Sequence, residues 1–295
     1  MGVYNFGSLN IDHIYRLDHI AAPGETLAAD TLSFAAGGKG LNQSVALAMS
    51  GAEVFHVGCI GSDGIWLSEL LEQKGVHTDH VRQVEAVTGH AIIQVSETGQ
   101  NSIVIFGGAN QVMTKQQVDQ ILAQATSDDL VLLQNETSCV PYIAHRCREL
   151  GIPLAFNPSP ISRVLLESFP FEAVKYLLVN ETEAAAITGT DIPEEAAEIL
   201  LAKYPGLCLV MTLGSRGVYY RDQFMTLTQP GFPVEAVDTT GAGDTFAGYF
   251  LGMLTQGHCC AQALRYACAA AAVSVTRHGA APSIPSLAEV EQFLK

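Results

Sequence analysis

Short runs of apolar residues alternate with helical stretches along most of this chain. The runs at 130–134 and 207–212 are almost continuously apolar, which is typical of strands buried on both faces of a parallel sheet. Helical patterns at 114–125 and 193–203 precede them. This alternation predicts an α/β fold with a doubly wound, mostly parallel sheet flanked by helices. The predicted strands are 3–7, 54–60, 130–134, 152–156, 176–179 and 207–212, followed by a hairpin over 218–227, and the predicted helices are 41–50, 65–74, 114–125, 139–150, one starting at 181, 193–203, 243–256 and 260–275.

Two segments interrupt the alternation. The chain is extended and turn-rich from 13 to 36, and apolar strands at 91–95 and 102–106 flank a turn, which predicts a β-hairpin. We expect these two segments to form a small β-sheet lid on the α/β domain. The predicted division assigns 11–36 and 88–107 to the lid, and 1–10, 37–87 and 108–295 to the α/β domain that binds nucleotide and substrate.

Composition and charge narrow the function classes. Apolar residues make up 48% of the 295 residues, which argues for a well-buried core. The formal net charge of -15 gives no electrostatic footprint for nucleic acid or an anionic membrane, so neither partner is expected. No apolar run is long enough to span a membrane, and no signal peptide is evident. The seven cysteines form no CxxC motif and favour a reducing, cytoplasmic location.

The segment DTTGAGDTF at 238–246 carries the strongest chemical signal. Gly241 and Gly243 allow a tight turn and close approach to a ligand, and a helix rich in small residues follows. The backbone amides of Gly241, Ala242 and Gly243 would then form an anion hole at a helix N-terminus. An acidic residue at that place, Asp244, makes sense as a base that accepts a proton from an attacking hydroxyl. The structural alternative is an N-terminal helix cap.

Three weaker segments also precede or begin helices and turns. Gly37-Gly38-Lys39-Gly40 lacks the Ser or Thr of a P-loop, but its glycines around a lysine favour close approach of the backbone to a polar ligand. A plain turn at the start of a helix is the alternative. Asn180 and Glu183 follow a buried strand and could hold Mg²⁺ through water, or form a capping box. The segment TLGSRG at 212–217 could line a nucleotide or form a plain glycine turn.

Taken together and in this order, these motifs resemble the ribokinase family of carbohydrate kinases. The resemblance covers essentially the whole chain. It rests on GSLNID at 7–12, GGKGLNQ at 37–43, GGAN at 107–110, Glu136, NPSP at 157–160, NETEA at 180–184, TLGSRG at 212–217, DTTGAGDTF at 238–246 and VTRHGAAPSIP at 275–285.

The resemblance implies roles for single residues. Asp244 would be the catalytic base beside the anion hole. Sugar hydroxyls would be bound by Asn10, Asp12, Gly38, Lys39, Asn42 and Glu136. The ATP site would be lined by Thr212, Gly214, Gly217 and Cys268, where the family often has His or Asn in place of the cysteine. Asn180 and Glu183 would organise Mg²⁺ and its water. A monovalent cation, K⁺, would be held, in part through backbone carbonyls, by Asp238, Thr240, Ser274, Arg277, Gly279 and Ser283.

The expected activity is transfer of the ATP γ-phosphoryl group to the terminal hydroxyl of D-ribose. Another sugar or a nucleoside, for example deoxyribose, fructose or a ribonucleoside, is the alternative, and a non-catalytic sugar or nucleotide sensor is a more distant one. A dinucleotide-dependent dehydrogenase is disfavoured because Gly7-Ser8-Leu9 has no GxGxxG continuation. The resemblance also implies a homodimer formed through the lid.

Overall fold

The computed structural model describes all 295 residues. A nine-stranded sheet forms the centre of the molecule. Its strands are β1 (Val3–Phe6), β4 (Val54–Ile60), β5 (His77–Gln83), β8 (Leu130–Gln134), β9 (Leu154–Asn157), β10 (Tyr176–Asn180), β11 (Cys208–Thr212), β12 (Val218–Arg221) and β13 (Thr226–Gln229). Their order across the sheet is β13-β12-β11-β10-β9-β8-β1-β4-β5. All neighbouring strands from β11 across to β5 pair in parallel. Antiparallel pairing occurs only at the other edge, where β12 pairs with β11 and with β13.

Helices cover both faces of this sheet. They are α1 (Lys39–Met49), α2 (Ile65–Gln73), α3 (Lys115–Leu122), α4 (Val140–Leu150), α5 (Arg163–Ser168), α6 (Glu181–Thr188), α7 (Pro193–Lys203), α8 (Ala242–Thr255), α9 (Cys260–Ser274) and α10 (Leu287–Phe293). Successive side chains of a strand point to opposite faces. Accordingly, Leu130 and Leu132 belong to one buried cluster while Val131 and Leu133 belong to the other. The predicted doubly wound α/β fold is confirmed.

A separate four-stranded sheet lies beside this core. It consists of β2 (Asn10–Leu17), β3 (Thr31–Gly37), β6 (Gly89–Ser96) and β7 (Asn101–Phe106), in the order β3-β2-β6-β7. The central pair β2–β6 is parallel and the two outer pairs are antiparallel. The small β-sheet predicted as a lid is therefore present. The exact residue division between lid and core stays a prediction.

Helices α1 and α8 cross closely because a glycine stands at their contact. A Cβ atom built on Gly248 would lie 2.4 Å from the Cβ of Ala46 and 2.8 Å from the backbone nitrogen of Leu47. Any larger residue at this position would push the helices apart. The crossing brings the first turn of α8 against the first turn of α1, and this contact positions the candidate site.

No helix of the structure has both the length and the apolar character needed to cross a membrane.

Candidate active site

The carboxyl ends of the parallel strands open on a cleft of about 270 Å³. This is the edge where ligands bind in open α/β sheets. Lys39 at the start of α1 and residues 241–244 at the start of α8 also line it. Eight of the predicted catalytic and ligand-binding residues line this cleft: Lys39, Asn180, Glu183, Thr212, Gly241, Ala242, Gly243 and Asp244. Residues separated by as many as 205 positions in sequence are thus brought together.

Asp244 lies in the first turn of α8, with a side chain that is buried but open to the cleft. The residue is only 7% exposed. Its two carboxylate oxygens accept hydrogen bonds from two amides of α1: Asn42 Nδ2 donates to Oδ2 at 3.0 Å and Gln43 Nε2 donates to Oδ1 at 2.8 Å. Asp244 carries no salt bridge. It is therefore available to a ligand that enters the cleft.

The turn before α8 presents free backbone amides beside this carboxylate. Gly241 adopts the left-handed conformation, with φ of 74°, at the N-cap of the helix. The amide of Ala242 donates to the carbonyl of Thr239 at 3.2 Å, whereas those of Gly241 and Gly243 have no acceptor within the protein. Of the three predicted anion-hole amides, these two are the ones left unpaired. An anion at this helix N-terminus would satisfy them.

Lys39 is the cation of the cleft. Burial works to lower the pKa of its ammonium group, but the carboxylates of Asp244, Glu136 and Glu183 outweigh that effect and raise the pKa. The group therefore stays charged. A buried positive charge among three carboxylates can neutralise part of the charge of a phosphoryl group.

Glu136 follows strand β8 and is tied to the start of α1. Its Oε2 accepts a hydrogen bond from the backbone amide of Lys39 at 3.0 Å and another from the Ser8 hydroxyl. Burial raises the pKa of the Glu136 carboxyl, and the hydrogen bond from Ser8 partly offsets this. Its other carboxylate oxygen remains free to accept a hydrogen bond from a ligand.

Asn10 and Asp12 begin strand β2 at the junction of core and lid. Asn10 Oδ1 accepts from Asn110 Nδ2 at 2.8 Å, which leaves the amide group of Asn10 free to donate. Burial and the nearby charge of Glu136 raise the pKa of Asp12 to about 7. A Cβ atom on Gly37 would come within 2.3 Å of the Asp12 carboxylate, so only glycine makes room for it.

Asn180 and Glu183 form the capping box that the sequence left as an alternative. Asn180 Oδ1 accepts from the backbone amide of Glu183 at 2.8 Å, and Glu183 Oε2 accepts from that of Asn180 at 3.0 Å. Both residues also line the cleft. The cap uses one oxygen of Glu183, so its second carboxylate oxygen is available to water or a cation.

Asp238 ties the anion-hole turn to the segment after α9. Its Oδ1 accepts from the amide of Thr240 at 2.9 Å and from the Thr240 hydroxyl at 2.6 Å, and its Oδ2 accepts from the amide of Gly279 at 2.9 Å. Burial acts to raise the pKa of Asp238, but these hydrogen bonds outweigh it and lower the pKa.

Three other side chains predicted near the monovalent cation make polar contacts of their own. The hydroxyl groups of Ser274 and Ser283 donate to the carbonyls of Ala271 and Ala280. The Arg277 guanidinium pairs with Glu289 at 2.6 Å and, being a cation, cannot itself be a ligand. The Asp238 carboxylate, backbone carbonyls of this region and the hydroxyl oxygens of Thr240, Ser274 and Ser283 can supply oxygen atoms to a cation, because a hydroxyl that donates its hydrogen keeps lone pairs on its oxygen. The predicted cation site stays a prediction.

Three residues predicted at the nucleotide site lie outside the cleft lining. Cys268 is 7% exposed and packs in the hydrophobic core, where burial raises the pKa of its thiol to about 12. Backbone packing requires a glycine at position 217, because a Cβ atom there would lie 2.0 Å from the carbonyl oxygen of Gln229. Gly214 adopts a positive φ of 57° in the turn after β11. The predicted contacts of these three residues with a nucleotide lie beyond the lining of this cleft and stay a prediction.

Two polar residues of the site had no predicted role. Asn157, at the end of β9, lines the cleft and accepts from Gln43 Nε2 at 3.2 Å. Gln43 itself is fully buried behind Asp244. The motifs NPSP and GGKGLNQ contain these residues, but their partners are far away in sequence. Local pattern alone could not pair them.

A doubly wound α/β fold with a lid, and a carboxylate beside unpaired amides, fit a kinase that acts on small molecules. Residues 3–287 match the model of the pfkB family carbohydrate kinases. The chain is 38% identical to the ribokinase of Haemophilus influenzae over 298 residues, which cover 98% of this chain and 97% of that protein. The chain belongs to the pfkB family of carbohydrate kinases, and the resemblance found in its motifs is confirmed.

Solved structures agree with this assignment. The ribokinase of Thermotoga maritima superposes with a TM-score of 0.88 at 36% identity, covering 100% of this chain and 99% of that one. The Arabidopsis thaliana ribokinase complexed with ribose and ATP superposes with a TM-score of 0.85 at 33% identity, covering 100% and 98%.

Proposed function

We propose that this carbohydrate kinase transfers the γ-phosphoryl group of ATP to the terminal hydroxyl of D-ribose, giving ribose 5-phosphate and ADP. The observation that carries the proposal is the Asp244 carboxylate, which opens to the cleft beside the unpaired amides of Gly241 and Gly243. The full-length similarity to ribokinases, one of them solved with ribose and ATP, supports the choice of both substrates.

Asp244 acts as the base in the proposed mechanism. It accepts the proton of the primary hydroxyl while that oxygen attacks the γ-phosphorus, and the bond between the γ-phosphorus and the bridging oxygen of ADP breaks. Catalysis of phosphoryl transfer is mostly positioning and charge stabilisation. The two free amides and the Lys39 ammonium group would stabilise the negative charge that the phosphoryl oxygens carry.

The sugar would lie between the lid and the start of α1. Asn10, Asp12, Gly38, Lys39, Asn42 and Glu136 are the proposed contacts. Asn42 Oδ1 is buried without a hydrogen-bond partner, and an acceptor of this kind needs a donor. A sugar hydroxyl can supply it. The free oxygen of Glu136 and the amide of Asn10 would pair with further hydroxyl groups.

ATP would extend along the cleft past Thr212 and the 214–217 turn. The free oxygen of Glu183 suits Mg²⁺, which prefers oxygen ligands and keeps several waters. We therefore propose that Asn180 and Glu183 hold the water shell of a magnesium ion. When bound, this ion would neutralise charge on the phosphate groups.

A monovalent cation, K⁺, is proposed at the loop of Asp238, bound by that carboxylate and by backbone carbonyls near Gly279. It would brace the anion-hole turn and would not contact ATP. We also propose a cytoplasmic location, which is supported by the seven cysteines being unpaired.

An ADP-release assay over a panel of pentoses, hexoses and nucleosides tests the substrate. D-ribose should give the highest kcat/KM, and 2-deoxyribose, fructose and adenosine should be poorer. A panel without preference for ribose would refute the ribose claim but not the kinase class.

The Asp244→Asn variant tests the chemistry. It keeps the size of the side chain and should lose turnover by at least about a hundredfold, the range for a positioned general base. Sugar and ATP should still bind to it in calorimetry. Undiminished turnover would remove Asp244 from catalysis and favour a different base.

A further inference from the structure

A chain of buried amide side chains leads away from the proposed base into the core. Gln43 Nε2 donates to Asp244 Oδ1 at 2.8 Å, and Gln43 Oε1 accepts from Gln134 Nε2 at 2.7 Å. Gln134 Nε2 also donates to Asn5 Oδ1 at 2.9 Å. All of these residues are at least nine-tenths buried. We call Asn5, Gln134 and Gln43 the amide relay.

The direction of the relay is fixed by groups that can only accept. Asn5 Nδ2 donates to the carbonyl of Gly40 at 2.8 Å, so the amide oxygen of Asn5 must face Gln134. Gln134 must then present its NH₂ group to both Asn5 and Gln43, because the opposite orientation would set oxygen against oxygen. It follows that the oxygen of Gln43 faces Gln134, and its NH₂ group faces Asp244.

A second main-chain carbonyl, on strand β10, supports the same orientation. Asn157 Nδ2 donates to the carbonyl of Leu178 at 3.0 Å. Its amide oxygen therefore faces Gln43 and accepts from Gln43 Nε2 at 3.2 Å. Two independent main-chain carbonyls, on α1 and on β10, thus impose one orientation on the Gln43 amide.

We propose that Gln43 is a positioning residue for Asp244 and that the amide relay holds it in its donating orientation. This inference rests on the proposed role of Asp244 as the base. With Asn42 on one oxygen and Gln43 on the other, the carboxylate cannot rotate, and its unused lone pairs point to the cleft. Gln43 is fully buried and does not line the cleft, so it acts only through Asp244.

The relay also explains why the core keeps these polar groups. A buried amide lowers stability wherever it lacks a hydrogen bond, and the relay leaves Gln134 Oε1 without a partner. Leucine or methionine at 43 and 134 would be simpler to pack. Retaining amides there costs stability, which is consistent with a role in orienting Asp244.

The experiment compares Gln43→Met, Gln134→Met and the double variant by steady-state kinetics. Gln43→Met preserves the length of the side chain and removes the donor to Asp244. Its kcat should fall about 10- to 100-fold, as expected for a misplaced catalytic group, while KM for ribose and for ATP should change less than about threefold. Gln134→Met leaves Asp244 and its donors in place but releases the Gln43 amide. Its kcat should fall roughly three- to tenfold.

The kcat of the double variant distinguishes positioning of Asp244 from a merely structural role of the amides. Gln134→Met should have no further effect on kcat in the Gln43→Met background, because the residue that it orients is already gone. Gln256→Met is the matched control: its amide donates to the carbonyls of Ser50 and Gly252, outside the site, and kcat should stay at the wild-type value. Thermal unfolding of each variant sets an assay temperature at which all are folded.

The outcomes separate this inference from the proposed function. If Asp244→Asn is inactive but Gln43→Met keeps the wild-type kcat, the positioning role is wrong and the base stands. Equal losses from Gln134→Met in both backgrounds would also overturn the relay. Undiminished turnover of Asp244→Asn would instead refute the proposed function itself. If Gln43→Met does not fold, the kcat of Gln134→Met alone decides, and a wild-type value overturns the proposal.

Discussion

At the scale of single residues, burial sets the protonation of two side chains near the site. Asp12 is pushed toward its neutral form by burial and by the charge of Glu136, so that its pKa is about 7. His56, beneath the relay, is fully buried, and burial lowers its pKa to about 4 against a small opposing effect of the Gly7 backbone. The first shift should appear in substrate binding and the second in stability.

Asp12 should make ribose phosphorylation depend on pH near neutrality. A sugar hydroxyl donates better to a carboxylate than to a carboxylic acid. Below about pH 7 Asp12 is protonated, and kcat/KM for ribose should therefore rise between pH 6 and pH 8, since this parameter reports groups of the free enzyme.

Asp12→Asn should remove that component of the profile and lower kcat/KM for ribose at pH 8. KM for ATP should remain close to the wild-type value. A variant profile that retains the full rise between pH 6 and pH 8 would assign the titration to another group.

His56 should make the protein less stable in mild acid. The unfolded chain takes up a proton near pH 6.5, whereas the folded protein resists it down to about pH 4, so the free energy of unfolding falls as the pH drops through this window. From the one-unit equivalence of 1.36 kcal/mol, the loss between pH 7.5 and pH 5 is about 2 kcal/mol.

Urea unfolding at pH 7.5 and pH 5 measures the loss. His56→Leu cannot titrate, so its stability should change less between the two pH values, even though it loses the 2.8 Å contact with Ser44 at both. Equal pH dependence in wild type and variant would contradict a buried neutral histidine.

At the scale of elements, the sequence predicted what is local and apolar. The strand β8 is fully buried and was predicted with its observed bounds, because a run of Leu and Val leaves little alternative. The edge strand β5, with the sequence HTDHVRQ, was missed because half-exposed polar residues give no strand pattern. The short helix α5 escaped for a similar reason: six residues are too few for a period to show.

In the candidate site, too, local features could be predicted from the sequence, whereas contacts between distant residues could not. Asp244 could be predicted because its glycines and helix are neighbours in sequence. Its donor Gln43 lies 201 positions away, and only the close crossing at Gly248 joins them. Contacts that depend on helix packing leave no signal in a local motif.

The proposed K⁺ site at the loop of Asp238 should make turnover depend on the monovalent cation. If K⁺ braces this loop, turnover should be well above that in Na⁺, because the smaller ion fits the same carbonyls less well. The measurement is kcat with each chloride salt at equal ionic strength. Asp238→Ala should abolish the difference and reduce activity in both salts. Equal wild-type rates in K⁺ and Na⁺ would remove the cation site.

At the scale of the whole molecule, the four-stranded sheet exposes an unusual amount of apolar surface. Phe34, Ile92 and Val104 lie in one cross-strand row and are each at least 41% exposed, and Ile103 and Ile105 are exposed on the opposite face. Monomeric proteins seldom leave such a contiguous patch open to water. One side of a lid can close over the sugar, but this does not cover both faces. We therefore propose that the lids of two subunits pack together in a homodimer.

Val104→Asp is the sharpest test of this dimer. Val104 is 64% exposed, so the substitution removes no core packing within one subunit, but it would bury an unpaired charge in the interface. Light scattering coupled to gel filtration should give a dimer for the wild type and a monomer of 31.4 kDa for the variant.

Phe224→Asp is the matched control, since Phe224 is 82% exposed on the β12–β13 turn, away from the lid, and its substitution should leave the dimer intact. A wild-type protein that is monomeric at micromolar concentration, or a dimer that survives Val104→Asp, would mean that the lid surface serves only to cover the substrate. In the expected case the monomeric variant should also bind ribose more weakly, because a lid without its partner has less apolar surface to hold it closed.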